Sequence, residues 1–399
     1  MKEPFLSAVP VLEKLEEAGY EAYFVGGSVR DYLLNRPIND VDIATSATPI
    51  EVKQIFSKTV DIGIEHGTVL VLLQNQSYEI TTFRAEAEYV DYRRPKEVAF
   101  IRNLTDDLER RDFTMNAIAM DKSGKLVDPF NGQAAIKEKV IRTVGKAEDR
   151  FQEDALRMIR AIRFVSQLSF RIDEETRSAL SRLVHLLENI AVERKHAELE
   201  KLLTGVNRKH ALRIVMETNT LSYLPGLRHK NKQIEEMLSY ELLNLTLREM
   251  WVILVFCLRI EGKSLEEFLR NWRLPIKEIR KIQLVLFNLN KRLKAVWSLF
   301  DLYTASKEIF ISTEKLYLVI KGIETEQSLS YYLNLYENLP IKNRSEMDVS
   351  GQDIMLWFER NGGPWLKETL LKVEMAIIDG QVENKKQSIK EWLLKCNHK

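Results

Sequence analysis

The chain has 399 residues, which is long for a single compact core and predicts two or more domains. Its formal net charge is +1, so the sum neither indicates nor excludes nucleic-acid binding, which depends on how the charge is distributed. Two cysteines are too few for a disulfide framework or a zinc site, and no apolar run approaches the roughly 18 residues of a membrane span. Because the first residues also lack the pattern of a signal peptide, we expect a cytoplasmic protein.

The first part of the chain alternates short β-rich runs with helical stretches. Strands are predicted at residues 21–25, 41–44, 68–73 and 77–83, with a helix at 28–35 and a hairpin turn near Asn75. From residue 146 onward, apolar residues recur at helical spacing and no run shows the alternation of a strand; such stretches cover 151–170, 199–216, 241–260, 279–299 and 365–378. The sequence therefore predicts an α+β protein, with a small mixed sheet and its helices first and an all-helical remainder.

The segment GGSVRD at residues 26–31 lies where the first predicted strand gives way to a helix. Glycines at such a junction let backbone N–H groups approach phosphate oxygens, and the N-terminus of the helix adds a favourable dipole. Gly27 and Ser28 would offer these groups, and Arg30 would offer a fixed positive charge. A Gly-Gly turn alone is more often a tight connection, so the segment indicates a phosphate site only in combination with the acidic residues after it.

Asp40 and Asp42 stand two residues apart on the next predicted strand. Strand side chains alternate between faces, so both carboxylates would point the same way while Val41 and Ile43 point into the core. Two hard oxygen ligands side by side suit Mg²⁺, which combines few carboxylates with substrate phosphates. A lone Asp-x-Asp is usually a solvated turn, but the preceding glycine segment favours a nucleotide site.

Two later segments could complete this site. Glu79, on the following hairpin, would supply the third carboxylate of a two-metal site, although an exposed strand glutamate is an equal alternative. In the segment RRDFTMNA at residues 110–117, Arg111 could hold a triphosphate and Asp112 could accept from a ribose hydroxyl. Asn116 could orient either partner, and a surface cluster of ion pairs is the alternative for the whole segment.

Four motifs in this order resemble those of the bacterial class II CCA-adding enzymes, within the DNA polymerase beta superfamily: GGxxRD at 26–31, DxD at 40–42, RRDFTxNA at 110–117 and EDxxR at 153–157. The resemblance implies a nucleotidyltransferase head at residues 1–147, a helical neck at 148–205, a helical body at 206–300 and a helical tail at 301–399. It also implies two Mg²⁺ ions at Asp40 and Asp42, CTP and ATP as substrates, and tRNA as the partner. A monomer and a homodimer are equally compatible with it.

The motif EDALR at residues 153–157 can be read through hydrogen-bonding capacity. Residues three apart on a helix share a face, so Asp154 and Arg157 could address one base edge together. A carboxylate only accepts and a guanidinium only donates, which matches the amino group and ring nitrogen of cytosine and adenine and opposes uracil and guanine. The resemblance further implies that Arg160 and Arg163 line the nucleotide pocket, with a solvated basic face as the alternative.

The segment 84–98, which includes Asp91 and Arg93, resembles the flexible loop of complete CCA-adding enzymes and favours addition of all three nucleotides. Basic clusters at 208–210, 228–230 and 291–294 are candidates for contacts with the backbone of the tRNA acceptor and T arms. Two other functions compete with CCA addition. One is a narrower relative that adds A, adds CC or polymerises poly(A), and the other is an RNA-binding or chaperone protein with an inactive head.

Overall fold

The computed structural model describes residues 1–63, 67–86, 89–90, 94–95, 98–323 and 326–396. The chain divides into two compact units, one formed by Met1–Asn231 with Asn271–Arg273 and the other by Lys232–Arg270 with Leu274–Lys399. None of the helices in the described ranges is both long enough and apolar enough to cross a membrane.

The first unit contains the strands that the structure describes. They are β1 (Ala22–Val25), β2 (Asp42–Thr45), β3 (Thr59–Gly63), β4 (Thr68–Leu73), β5 (Gln76–Thr82), β6 (Arg84–Glu86), β7 (Tyr89–Val90), β8 (Arg94–Pro95), β9 (Val98–Phe100), β10 (Ala119–Met120), β11 (Leu126–Val127), β12 (Val140–Ile141) and β13 (Arg171–Ile172). Seven of them form a mixed sheet in the order β11-β10-β1-β2-β5-β4-β3. Its described neighbours are antiparallel except β2 and β5, which run parallel.

The helices of the first unit begin with α1 (Phe5–Glu17), α2 (Gly26–Leu33), α3 (Pro49–Ile55), α4 (Leu104–Glu109), α5 (Gly132–Glu138), α6 (Ala147–Glu153) and α7 (Leu156–Leu168). They continue with α8 (Glu174–Leu183), α9 (Val192–Thr204) and α10 (Arg208–Glu217), and with short 3-10 helices at Thr114–Asn116, Val184–Asn189 and Thr220–Tyr223. α1 covers the sheet with Phe5, Leu12 and Leu15, which are fully buried. The ring of Phe5 lies 4.8 Å from that of Phe24 on β1, so this packing fixes the strand that leads into α2.

The second unit is helical throughout the part that the structure describes. Its elements are α11 (Asn231–Ser239), α12 (Leu247–Leu258), α13 (Gly262–Asn271), α14 (Ile276–Arg292), α15 (Leu299–Lys321), α16 (Glu326–Glu337), a 3-10 helix at Arg344–Glu346, α17 (Gly351–Trp357), α18 (Pro364–Ile378) and α19 (Lys386–Cys396). A buried ion pair joins two of these helices, because Arg292 Nε donates to Glu314 Oε2 over 2.8 Å and the Glu314 side chain has no exposed surface.

The prediction of an α+β fold with a helical C-terminal region is confirmed. The predicted hairpin turn lies at Gln74 and Asn75, whose positive φ angles of 51° and 63° suit the tight turn between antiparallel β4 and β5. One detail was wrong. The two-residue strand β13 lies inside the region predicted to be all helical, and it pairs with β12, which precedes that region. The division into head, neck, body and tail at residues 147, 205 and 300 stays a prediction.

Candidate active site

Two of the predicted carboxylates meet on the parallel strand pair. Asp42 is the first residue of β2, and Glu79 on β5 is its register partner. Asp40 precedes the strand, so the prediction that both aspartates lie on it was wrong for Asp40. The alternation nevertheless continues through it, because Asp40 and Asp42 are exposed whereas Val41 is buried.

The electrostatic surroundings of Asp42 are those of a charged site. Its carboxylate is accessible to solvent but lies among protein atoms that displace water, and this burial raises its pKa. Arg111 lowers the same pKa, whereas Glu79 and Asp40 raise it through the repulsion between like charges. The net effect is a raised pKa with burial as its largest cause, so a cation placed here would stabilise the ionised carboxylate.

The donor atoms at this point fit Mg²⁺ without forming a complete cage. The carboxylate oxygens of Asp40 and Asp42 are the hard ligands that Mg²⁺ prefers. Within the described ranges, no group of three or more His, Cys, Asp or Glu side chains is arranged to hold a metal ion. An ion bound here would therefore take its remaining ligands from substrate phosphates and water, and the role of Glu79 stays a prediction.

Gly26 brings the glycine turn against these groups. Its φ of 68° lies in the left-handed region, and a Cβ atom there would stand 3.1 Å from Nη1 of Arg111 and 3.6 Å from Oδ2 of Asp42. A cleft of about 220 Å³ opens beside it; its lining residues are Val25, Asp42, Ile43, Thr68, Thr81, Arg84, Arg110 and Arg111. The left-handed φ favours glycine, and the short distances show that the turn, the carboxylate and the arginine lie together.

The helix after this turn begins two residues earlier than predicted, at Gly26 instead of Ser28. The backbone N–H groups of Gly27 and Ser28 therefore belong to its first turn, where they have no partner within the helix. The hydroxyl group of Ser28 donates to the carbonyl oxygen of Val25 over 2.8 Å. The hydroxyl group of Ser28 thus holds the strand–helix junction, and the binding of a phosphate by its backbone N–H group stays a prediction.

Asp107 positions the arginines of the cleft and was not among the predicted residues. Its side chain is 1% exposed; Oδ1 accepts from Nη2 of Arg110 at 2.8 Å, and Oδ2 accepts from Nη2 of Arg111 at 3.0 Å. Burial opposes its ionisation, but the two arginines outweigh burial and lower its pKa. The spacing of three and four residues on α4 was the signal that could have identified it.

Asp112 connects the segment at residues 110–117 to α7, two parts of the predicted nucleotide pocket. Its Oδ1 accepts from Nδ2 of Asn116 at 2.9 Å and from the backbone N–H group of Phe113 at 2.8 Å. Oδ2 accepts from Nε and Nη2 of Arg160 at 2.9 and 2.5 Å. Burial opposes its ionisation, yet Arg160 and Asn116 hold the pKa well below its usual value. The four acceptor positions are filled, so a ribose hydroxyl would have to replace one of these bonds.

Arg30 is tied to the same network. Its Nη1 donates to Oδ1 of Asn116 over 2.7 Å, and its Nε and Nη2 donate to Asp31 over 3.0 and 2.9 Å. The guanidinium is mostly buried and lies 5.1 Å from the ring centre of Phe164. These contacts fix the position of the Arg30 guanidinium, and its binding of an anion stays a prediction.

Arg160 and Arg163 on α7 share Glu198 of α9, a second residue that the sequence prediction missed. Nε of Arg163 lies 2.7 Å from Oε2 of Glu198, and Nη1 of Arg160 lies 3.7 Å from Oε1. The Arg163 guanidinium stacks 3.9 Å from the ring centre of Phe164, and burial lowers its pKa to about 10. The alternative of a basic face in water is wrong for Arg163, which is 8% exposed.

The premise that Asp154 and Arg157 share one helix face was wrong. Asp154 ends α6 in an extended conformation, with φ −139° and ψ 101°, and Arg157 lies in the first turn of α7. Arg157 Nη1 donates to Oε2 of Glu153 over 2.5 Å, and its Nη2 donates to the carbonyl oxygen of Arg110 over 2.8 Å. The Asp154 carboxylate is paired with Arg194. The two predicted base readers are neighbours along the chain, but each is held by a different partner.

The basic clusters divide into exposed and internal residues. Arg208 is 5% exposed and donates through Nε to the carbonyl oxygen of Gly205, so it belongs to the core of its unit. Arg292 is committed to Glu314 in the same way. Arg228 is exposed and stays a candidate for phosphate contacts. The sequence could not separate these arginines, because burial depends on the packing of helices distant in the chain.

The segment 84–98 contains two short antiparallel pairs, β6 with β9 and β7 with β8. Asp91 and Arg93 lie outside the described residues. That the segment 84–98 allows addition of all three nucleotides stays a prediction.

Comparisons with known proteins decide the family. Residues 22–142 match the model described as Poly A polymerase head domain, residues 169–230 match "Probable RNA and SrmB- binding site of polymerase A", and residues 245–393 match domain 2 of tRNA nucleotidyltransferases. A CCA-adding enzyme of Geobacillus sp. strain WCH70 is 49% identical over all of this chain and 98% of its own length. The chain belongs to the CCA-adding enzymes.

Solved structures agree with this membership. The crystal structure of the Bacillus stearothermophilus CCA-adding enzyme in complex with CTP superposes with a TM-score of 0.92 at 42% identity, over 100% of this chain and 98% of that one. A tRNA nucleotidyltransferase complexed with a primer tRNA and an incoming ATP analogue superposes with a TM-score of 0.63 at 25% identity, over 81% and 97% of the two chains. The resemblance inferred from the four motifs is confirmed, and this CCA-adding enzyme is a tRNA nucleotidyltransferase.

Proposed function

We propose that this chain adds C, C and A in turn to the 3′ end of tRNA, using CTP and ATP and releasing pyrophosphate. The observation that carries the proposal is the approach of Gly26 to both Asp42 and Arg111, since it joins a phosphate-binding turn to a carboxylate in one cleft. That the added sequence is CCA is supported by membership of the CCA-adding enzymes.

In the proposed reaction, the oxygen of the RNA 3′-hydroxyl bonds to the α-phosphorus of the nucleotide. The bond from that phosphorus to the bridging oxygen of the β-phosphate breaks, and the hydroxyl proton passes to solvent. Arg111 and the backbone N–H groups of Gly27 and Ser28 offset the charge that gathers on the departing pyrophosphate. Catalysis of this kind consists mostly of positioning and charge stabilisation.

Asp40 and Asp42 would hold Mg²⁺, two ions being expected, and Glu79 is the candidate for a further carboxylate. Bound there, Mg²⁺ would neutralise phosphate oxygens and make the attacking hydroxyl more acidic. The raised pKa of Asp42 supports this assignment, because burial first, and then the charges of Glu79 and Asp40, oppose ionisation where a bound cation would favour it.

We assign the choice of base to Asp154 and Arg157, and we expect Arg160 and Arg163 to line the nucleotide pocket. Arg157 uses three of its five N–H groups, on Glu153 and on the carbonyl groups of Arg150 and Arg110, so two would be available to a base. Asp112 and Asn116 would hold Arg30 and Arg160 in place from behind.

Product analysis tests the function directly. Transfer RNAs that lack CCA, CA or A are incubated with each nucleotide alone and in mixture, and the products are weighed by mass spectrometry. We expect addition to stop at CCA; long A tails would favour a poly(A) polymerase, and arrest at CC or dependence on a CC end would favour a narrower relative. The Asp40→Ala/Asp42→Ala double variant should release no pyrophosphate, and incorporation at the wild-type rate would refute the metal assignment.

Binding of the acceptor and T arms of tRNA by the helical region is part of the same proposal. The exposed Arg228, Lys291 and Lys294 and the partly exposed Lys230 are candidates for these contacts. A monomer or homodimer and a cytoplasmic location stay predictions.

A further inference from the structure

Arg194 forms a two-point contact with the carboxylate of Asp154. It lies in the first turn of α9, and its Nη1 donates to Oδ1 of Asp154 over 3.2 Å while Nη2 donates to Oδ2 over 2.7 Å. Both side chains are partly buried, with 29% and 17% of their surfaces exposed. A planar guanidinium bound at two points fixes the plane of a carboxylate, which a single donor cannot do.

The remaining hydrogen-bonding capacity of Asp154 can be counted. A carboxylate offers about four acceptor positions, two on each oxygen. Oδ1 accepts from the backbone N–H group of Leu156 at 3.1 Å as well as from Arg194, so both of its positions are filled. Among the residues that the structure describes, Oδ2 accepts from Arg194 alone. One acceptor position is left, and it is on Oδ2.

We propose that Arg194 is a positioning residue that sets base specificity. It holds Asp154 so that one oriented acceptor is offered to the amino group shared by cytosine and adenine. The inference rests on the proposed role of Asp154 in base choice. It adds a residue from a separate helix, outside the motif at residues 153–157.

The donor half of the base-reading pair is anchored independently of Arg194. Arg157 is held by Glu153 and by the carbonyl groups of Arg150 and Arg110. Loss of Arg194 therefore frees the acceptor and leaves the donor in place. A carboxylate that can rotate presents further acceptor positions and room for a bridging water, so it rejects a base with a carbonyl group less strongly.

A merely structural tie between α9 and the α6–α7 junction would have a different signature. It would lower stability and reduce the use of right and wrong nucleotides equally. A positioning residue changes their ratio, so the readout is kcat/KM for CTP against UTP on tRNA lacking CCA, and for ATP against GTP on tRNA ending in CC.

The experiment compares Arg194→Lys, Arg194→Gln and Arg194→Ala in the full-length protein. We expect discrimination to fall by roughly 10- to 100-fold in the Gln and Ala variants, with partial recovery in Lys, which keeps the positive charge but not the two-point geometry. Arg177→Gln is the matched control, because Arg177 also forms an arginine–carboxylate pair, with Glu217 at 2.6 Å, on an exposed face of the same unit. Its discrimination should equal that of the wild type.

Asp154→Asn separates the inference from the function on which it rests. If this variant loses discrimination while the Arg194 variants retain it at unchanged melting temperature, the role of Arg194 is refuted and that of Asp154 stands. If Asp154→Asn discriminates like the wild type, the base-selecting role of Asp154 fails and the inference fails with it. An equal loss of rate with all four nucleotides would assign Arg194 to structure alone.

Discussion

Asp42 and Glu79 are register partners on the parallel strands β2 and β5, and the pKa of Asp42 is raised by burial first and by the charge of Glu79 in addition. An acid whose pKa is raised on folding binds more protons in the folded state. Its ionisation therefore opposes folding, and stability falls as pH rises from about 4 through the raised pKa. At neutral pH the site carries this cost in full when no cation is bound.

We therefore predict that Asp42→Asn abolishes catalysis without destabilising the protein. Nucleotide incorporation should fall at least roughly 10³-fold, because a ligand and a charge are lost. The melting temperature in EDTA at pH 7 should equal or exceed that of the wild type, since the variant no longer buries a charge and the repulsion with Glu79 and Asp40 disappears. Asp61→Asn, at an exposed position on β3, is the control and should change neither quantity. A marked drop in melting temperature would contradict the electrostatic account.

The second prediction concerns Gly26. Gly26→Ala adds a Cβ atom 3.1 Å from Arg111 and should displace that side chain, raising KM for CTP and ATP by roughly tenfold or more. Gly19→Ala is the matched control, because Gly19 has a φ of 88° but no atom within 4 Å of the added carbon. Both variants should lose roughly 1 kcal/mol of stability from backbone strain, and only the first should lose activity. Equal kinetics in the two variants would show that the close approach is irrelevant to substrate binding.

The third prediction is that Asp107→Asn loses both stability and nucleotide affinity. Removing the charge leaves the guanidinium groups of Arg110 and Arg111 without their buried partner, which typically costs about 3–5 kcal/mol. The pKa of Asp107 is lowered, so its contribution is fully present above about pH 4 and is lost as pH falls further. Urea unfolding at several pH values should show that the difference in the free energy of unfolding between variant and wild type becomes smaller in acid. Asp106→Asn, at the exposed neighbouring position, should leave both properties unchanged.

The fourth prediction distinguishes surface from internal basic residues. Arg228→Ala/Lys230→Ala should weaken tRNA binding and reduce the slope of log Kd against log salt concentration by about 2, since two phosphate contacts are lost. Arg208→Ala should instead lower the melting temperature, because its buried guanidinium holds the Gly205 carbonyl group. Filter binding across a salt series measures the first effect, and calorimetry measures the second. An unchanged slope in the double variant would remove this cluster from the proposed tRNA surface.

Much of the fold was predictable because local patterns agreed with it. Alternation identified β1, β2, β4 and β5, and helical spacing identified α7, α12, α14 and α18, whereas the longest helix, α15, was not among the predicted stretches. The short strand β13 could not be foreseen, since two residues carry no period and its pairing with β12 is a tertiary contact. The break between α6 and α7 was also missed, and it placed Asp154 off the helix.

The candidate site was predictable in its residues more than in its contacts. The motifs identified Asp42, Gly26 and Arg111, which the structure brings together. The residues that hold them were missed, because Asp107, Glu198 and Arg194 act through partners on other elements or on a neighbouring helical turn. The spacing of Asp107 from Arg110 and Arg111 was a usable signal, whereas the partners of Glu198 and Arg194 lie too far away in the sequence to leave one.

The parallel pairing of β2 with β5 also has a consequence for how the site forms during folding. Between these strands the chain passes through α3 and the β3–β4 hairpin, so Asp42 and Glu79 meet only after that whole segment has been closed into a loop. Such non-local closure is slow compared with formation of a helix or hairpin. Activity should therefore return later than helical circular dichroism when the denatured enzyme is diluted into buffer. A nascent chain could fold α1 and α2 on the ribosome long before it could bind a nucleotide.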